Sequence, residues 1–153
     1  MEPIRITMLI TGLGLTGTPR VMMDIIENIN YRHFEVSVAY KPEYSRSDLD
    51  LIEDLQNLGL KLIQLRGKNL FNFSGLFDLY RHLKRDSVQI VHSWDALGIA
   101  ARLLSLFLRF RVIVSYCNPV VSKGSSLYYF INKITSLLID GIIFCTKGVQ
   151  KSY

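Results

Sequence analysis

The stretch Ile4-Arg-Ile-Thr-Met-Leu-Ile10 followed by Thr11-Gly-Leu-Gly-Leu-Thr-Gly-Thr-Pro-Arg20 decides the fold. The first seven residues read as a strand buried in a sheet. Glycines at 12, 14 and 17 then let the backbone turn tightly and approach a ligand with no Cβ in the way. Thr18 suits a helix cap, and Pro19 suits the first helical position, where a missing N–H costs little. A strand, a glycine-rich turn and a helix start in succession present free N–H groups and the positive end of a helix dipole, a natural seat for phosphate. The loop therefore predicts a phosphate-bearing ligand, with Gly14, Gly17 and Thr18 facing it.

Alternating element types continue down the chain. Periodicity and capping residues predict helices over 19–29, 47–58, 74–85, 96–110 and 125–138, and the start of another at 147. Ser47 is the expected cap of the second helix and Gly59 its stop. Strands are predicted over 34–40, 60–65, 88–93, 112–116 and 141–145. An unbroken β-α alternation implies right-handed crossovers and a mostly parallel sheet covered on both faces. The expected fold is a doubly wound, Rossmann-like α/β domain spanning 1–153. Ligands of such sheets sit beyond the carboxyl ends of the strands, where the strand order reverses. With the fourth strand beside the first, that point is framed by the glycine loop and by His92-Ser-Trp-Asp95, and the fifth strand brings Cys117 and Asn118 to the same rim.

The chain has 153 residues, 49% of them hydrophobic, enough for one sizeable core. An acid at position 2 and immediate entry into a strand argue against a signal peptide. No apolar run approaches the roughly 18 residues that cross a bilayer. The two cysteines, Cys117 and Cys145, lack metal-ligand or secreted-framework spacing, so they are expected to be reduced residues at strand ends of a cytoplasmic protein. Charge is uneven. Residues 96–153 hold seven bases against the single acid Asp140, whereas 1–95 are nearly neutral. That balance suggests an anionic partner, such as a membrane surface or a phosphorylated ligand; alternatively the bases are a solvated set.

Several segments, taken in order, resemble family 4 glycosyltransferases. Gly17-Thr-Pro-Arg-Val21 is similar to that family's Gly-Gly-Ala-Glu-Arg-Val opening, with Pro19 in place of the Glu. His33-Phe-Glu-Val-Ser-Val38 and Leu58-Gly-Leu-Lys-Leu62 resemble its second strand and third-strand entry. Gln89-Ile-Val-His-Ser-Trp94 resembles its Asp-Ile-Val-His-x-His element, with Trp94 at the second His. Asp140-Gly-Ile-Ile-Phe-Cys-Thr146 resembles its closing strand. Together these cover nearly the whole chain. The resemblance implies a GT-B architecture, of which this chain is the amino-terminal, acceptor-side half, and the donor-binding domain lies outside it. It implies a retaining, metal-independent transfer from a nucleotide sugar to a glycan or lipid-linked acceptor, with no further cofactor and no nucleic-acid partner. The setting would be cytoplasmic, with a peripheral seat on the inner membrane face.

On that resemblance His92 is the candidate catalytic residue, because neutral imidazole both donates and accepts; alternatively it is a strand-end histidine satisfied by backbone. Trp94, Cys117 and Asn118 would shape the acceptor site. Trp94 offers a stacking surface or else belongs to the peripheral core. Asp95 reads more readily as a helix cap than as a base. Cys117 reads more readily as a small buried residue than as a nucleophile. Gly12-x-Gly14-x-x-Gly17 also satisfies a dinucleotide fingerprint, which leaves open a stand-alone nucleotide- or dinucleotide-binding module. The acid that such a site wants after its second strand is Tyr40 here.

Overall fold

A computed structural model describes residues 2–14, 17–42, 46–67, 73–94, 97–117 and 126–151. Six strands form one parallel sheet in the order β3-β2-β1-β4-β5-β6. They are β1 Ile4–Ile10, β2 Phe34–Tyr40, β3 Lys61–Gln64, β4 Ile90–Ser93, β5 Arg111–Tyr116 and β6 Gly141–Phe144. The helices are α1 Gly17–Asn28, α2 Arg46–Asn57, α3 Phe73–Arg85, α4 Gly98–Ser105, α5 Ser126–Thr135 and the short α6 Lys147–Gln150, with a 3-10 turn at Ser136–Leu138. The doubly wound reading of the sequence holds.

The sheet divides the core in two. On one face Ile6, Met8 and Ile10 of β1 and Val36, Val38 and Tyr40 of β2 pack against α1 and α2. On the other, Leu9, Val91, Val112 and Val114 pack against α3 and α4. Period-2 alternation thus survives inside strands that are apolar on both sides, because each face is roofed by its own helix pair.

Boundary expectations shift in informative ways. Helix α1 begins at Gly17 and α2 at Arg46, so Thr18 and Ser47 each lie one residue inside the helix start and not before it. Helix α4 ends at Ser105, several residues short of the expected 110, because Leu106 to Phe110 turn sharply back into β5. The predicted stop at Gly59 is correct. Its φ is +72°, and the Leu60 N–H reaches the Leu55 carbonyl at 3.2 Å while the Gly59 N–H reaches that of Gln56 at 2.9 Å, a left-handed helix end that glycine takes without strain.

One buried polar cluster knits three elements. Thr7 of β1 and Ser37 of β2 share a hydrogen bond of 3.0 Å, and His82 Nε2 of α3 approaches their hydroxyls at 3.0 and 3.2 Å. His82 Nδ1 lies 2.9 Å from Asp86 Oδ2, a close approach off the line of a hydrogen bond. Burial pushes the His82 pKa down, and the Asp86 carboxylate opposes that shift. Asp86 itself is held well below the usual carboxylate range by Arg85 and then Lys61.

The surface differs from expectation at two places. Arg109 and Arg111, two of the seven bases after residue 95, lie at the amino ends of the strands and not at the carboxyl rim. Arg111 opens β5 and bonds Asp140 at 2.6 Å, both lining a shallow cleft of about 400 Å³ with Gln89, Arg109 and Phe110. The edge strand β6 leaves Ile142 and Ile143 about half exposed.

Candidate functional site

Strand β4 pairs with β1, so the order reverses between them and the carboxyl rim there is the expected ligand position. The Trp94 N–H donates to the Leu9 carbonyl at 3.1 Å, which extends the β1–β4 ladder to the edge of the glycine loop. From that loop Leu13 turns inward and is buried in the same core cluster as Trp94 and Met22. The loop is thus anchored by one apolar side chain while its glycines stay at the rim.

His92 is 6% exposed, and its ring stacks on Trp94 with centroids 4.5 Å apart and planes 26° from parallel. Its Nε2 shares a hydrogen bond of 2.7 Å with the Ser115 hydroxyl on β5. Parallel register explains the meeting: His92 lies opposite Ile113, and Ser115 is the next residue along β5 on the same face. Burial pushes the His92 pKa down to about 4, because a cation there would lose its water with no anion in return. At neutral pH the imidazole is uncharged, as a residue that both gives and takes hydrogen bonds must be. Trp94 is nearly fully buried, so of its two readings the peripheral-core one describes its place. One face of its indole is taken by His92.

Gly17, Gly14 and Thr18 stand at the rim on the β1 side. Gly17 is exposed, and a Cβ built on it meets nothing within 4 Å. Its φ is not among the positive values of the described glycines, so a side chain there meets no left-handed backbone strain. Among the described residues nothing requires glycine at this position. Gly14 and Thr18 are half-buried. Asn118 and Asp95 lie outside the described residues.

Cys117 and Cys145 are joined in a disulfide, which corrects the expectation of separate reduced thiols. Their strands are neighbours in register, Tyr116 opposite Phe144, so the next residue of each comes within a Cα distance of 4.9 Å. Nothing in their sequence spacing shows this; it follows only once β5 and β6 are paired.

Sequence reasoning missed three groups at this rim. Ser115 was legible in principle as a small polar residue inside an apolar strand. On the opposite face of β4, the Ser93 hydroxyl is buried with no hydrogen-bond partner among the described residues, and a Cβ on Gly98 would sit 2.5 Å from it. Arg102 of α4 is 1% exposed and has no carboxylate partner among the described residues. Its Nη1 donates to Asn132 Oδ1 at 2.7 Å and Thr135 Oγ1 at 3.2 Å, and the Asn132 carbonyl lies 3.4 Å away, so the cation closes the carboxyl end of α5. Among the described residues no group of three His, Cys, Asp or Glu side chains could hold a metal ion.

No protein-family model matches the chain, and no curated protein matches it by sequence. Solved structures do. The chain superposes on MurG of Acinetobacter baumannii with a TM-score of 0.64 and 15% identity, covering 96% of this chain and 42% of that one. It superposes on the UDP-GlcNAc 2-epimerase of Methanocaldococcus jannaschii with a TM-score of 0.62 and 9% identity, covering 97% and 41%. A further UDP-N-acetylglucosamine 2-epimerase gives 0.61 and 12%, covering 99% and 44%. The fold is the Rossmann-like unit of GT-B proteins, and this chain spans less than half the length of the structures it matches.

Proposed function

We propose that the chain is the amino-terminal, acceptor-side half of a glycosyltransferase that uses a nucleotide sugar and retains the donor's anomeric configuration. The observation that carries this reading is the neutral, buried His92 held between Trp94 and Ser115 at the strand-order reversal, directly beside the glycine loop of β1. The family resemblance and the GT-B-like fold neighbours support it. In this reading the N–H groups at the start of α1, with Gly14, Gly17 and Thr18, stabilise charge growing on the departing diphosphate. His92 accepts or donates a hydrogen bond at the reacting sugar, with Trp94 and Ser115 as positioning residues. Cys117 and Asn118 border the acceptor. A second, donor-binding domain completes the cleft, and no metal or further cofactor takes part.

The test is calorimetric titration of UDP-, GDP- and ADP-sugars against the chain joined to its donor-binding domain, with turnover measured on the joined protein and on residues 1–153 alone. Saturable binding of one of them and turnover only by the joined protein are expected. Robust turnover by residues 1–153 alone overturns the half-enzyme reading.

The glycine fingerprint favours one other reading, a dinucleotide-binding module. Against it, Tyr40 at the end of β2 is a buried core residue where that site needs a ribose-binding acid. Titration with NAD in the same calorimeter separates the two.

The acceptor side is further proposed to work at an anionic membrane on the cytoplasmic side. No helix among the described residues is long and apolar enough to cross one. The contact face is not the carboxyl rim. It is the turn after α4 together with the end of α5 and the 3-10 turn that follows it, where Phe107, Ile134 and Leu137 are exposed and Arg109 and Lys133 carry exposed charge.

A further inference from the structure

We propose that Cys117 and Cys145 are a reversible thiol–disulfide pair, open to exchange with small thiols, which clasps the carboxyl ends of β5 and β6 beside the His92–Trp94 pair. The clasp is built by the sheet. Strands β5 and β6 run in parallel register to Tyr116 and Phe144, and the Cys145 N–H donates to the Tyr116 carbonyl at 3.1 Å. The resulting Cα separation of 4.9 Å lies within the span a disulfide bridges.

The two sulfurs have unequal surroundings. Cys117 is half-buried against the core cluster that contains Trp94, whereas Cys145 is exposed. A bond whose one residue is exposed is accessible to an attacking thiolate, unlike a disulfide sealed in a core. Charge favours the exchange. Lys147 and Lys151 follow Cys145, and the one acid after residue 95, Asp140, precedes the far end of β6. A locally positive field lowers thiol pKa values and stabilises the thiolate that leaves.

The chemistry balances with a small thiol as reductant. An external thiolate attacks Cys145 Sγ and forms a mixed disulfide, while Cys117 departs as thiolate and takes a proton from water. A second external thiolate attacks the outer sulfur of the mixed disulfide, which releases Cys145 and one molecule of small-molecule disulfide. Two electrons pass to the protein, and two protein thiols result. Oxidation by the same small-molecule disulfide runs the steps in reverse. The bond ties the exit of β5 to the exit of β6. Its redox state therefore decides whether these two rim positions move together.

Trp94 is the sole tryptophan of the chain, so its emission reports on the clasp without a label. The protein is equilibrated in glutathione buffers from fully reduced to fully oxidised, and free thiols are counted by maleimide mass tagging. Two tags are expected to disappear together in one two-electron transition, with Trp94 emission changing over the same range. Cys117→Ser and Cys145→Ser should each abolish that emission transition and show a single tag in reducing buffer. Two tags at every ratio, no tag even in fully reducing buffer, or glutathione on Cys145 with Cys117 still free would each overturn the proposal. Circular dichroism separates loss of the clasp from loss of fold, and where a variant does not fold the wild-type transition decides alone. No sugar nucleotide enters the measurement, so its failure leaves the proposed function standing.

Discussion

His92 Nε2 lies 2.7 Å from the Ser115 hydroxyl on the neighbouring strand, in a place where the imidazole cannot take up a proton without losing stability. The folded-state pKa is about 4, below the value near 6.5 of an unfolded chain, and His82 is shifted in the same direction. Stability is therefore fully present above about pH 6.5 and is lost as pH falls toward 4, with His92 alone accounting for about 3 kcal/mol across that window. Urea denaturation midpoints from pH 7.5 to 4 check this. His92→Gln should flatten the slope, and an unchanged slope in that variant would show that His92 is not the group being titrated.

Trp94 holds the other side of that imidazole. Trp94→Ala removes a buried ring and is expected to cost about 3–5 kcal/mol. It also admits water, so the His92 pKa should rise toward its ordinary value. Trp94→Phe restores most of the packing and should hold the pKa low. Imidazole proton shifts followed by NMR titration measure both, and a His92 pKa unmoved in Trp94→Ala would mean that the stack does not shield it.

Glycine has different meanings along this chain. A Cβ on Gly75 would lie 2.4 Å from the Arg66 carbonyl oxygen, a backbone atom that cannot rotate away. On Gly98 the obstacle is the Ser93 hydroxyl, a side chain that can be removed. Gly98→Ala is expected to destabilise by about 1–3 kcal/mol. Ser93→Ala, which also deletes a buried unpartnered hydroxyl, should rescue it. Strict additivity in the double-mutant cycle would refute the steric account.

Gly17 is the contrasting case, since nothing among the described residues fills the space above it. Gly17→Ala should leave stability unchanged or raise it by about 0.5 kcal/mol through helix propensity. If phosphate approaches the backbone there, the same variant should weaken nucleotide-sugar binding at least tenfold. Equal affinity for wild type and variant would reduce the loop to a turn.

For the membrane face, binding to anionic liposomes at low salt should weaken in Phe107→Asp and in Arg109→Glu and should fall as ionic strength rises. Arg111 is the poorer probe, because its bond to Asp140 makes a charge reversal structural as well. Equal co-sedimentation with neutral and anionic vesicles would leave this face a solvated surface.

Much of the fold was legible because the helix and strand periods are clean. β1 and β2 were read to the residue, and Gly59 announced its own left-handed helix end. Legibility failed where an outcome depends on partners far away in sequence. The α4 end and the Cys117–Cys145 bond follow from how β5 meets its neighbours, and neither spacing nor composition carries that. The candidate site divides in the same way. His92 and the glycine loop were found from local pattern, whereas Ser115 became its partner only through the β4–β5 register. Trp94 is an aromatic near a rim, and only burial tells a core ring from a platform.

The position of β1 at the centre of the sheet has a consequence for how the chain acquires its fold. Its Ile6–Leu9 edge pairs with Ile90–Ser93, 84 residues further on. During synthesis β1, β2 and β3 can assemble with α1 and α2 as soon as they leave the ribosome, but one long edge of β1 stays open until β4 emerges. At about 5–20 residues per second that interval lasts several seconds, long compared with the time small elements need to form. An apolar parallel edge exposed for so long invites mispairing. A pause in synthesis after β4 has left the ribosome would be harmless, whereas one that delays its emergence would lower the yield of folded chain.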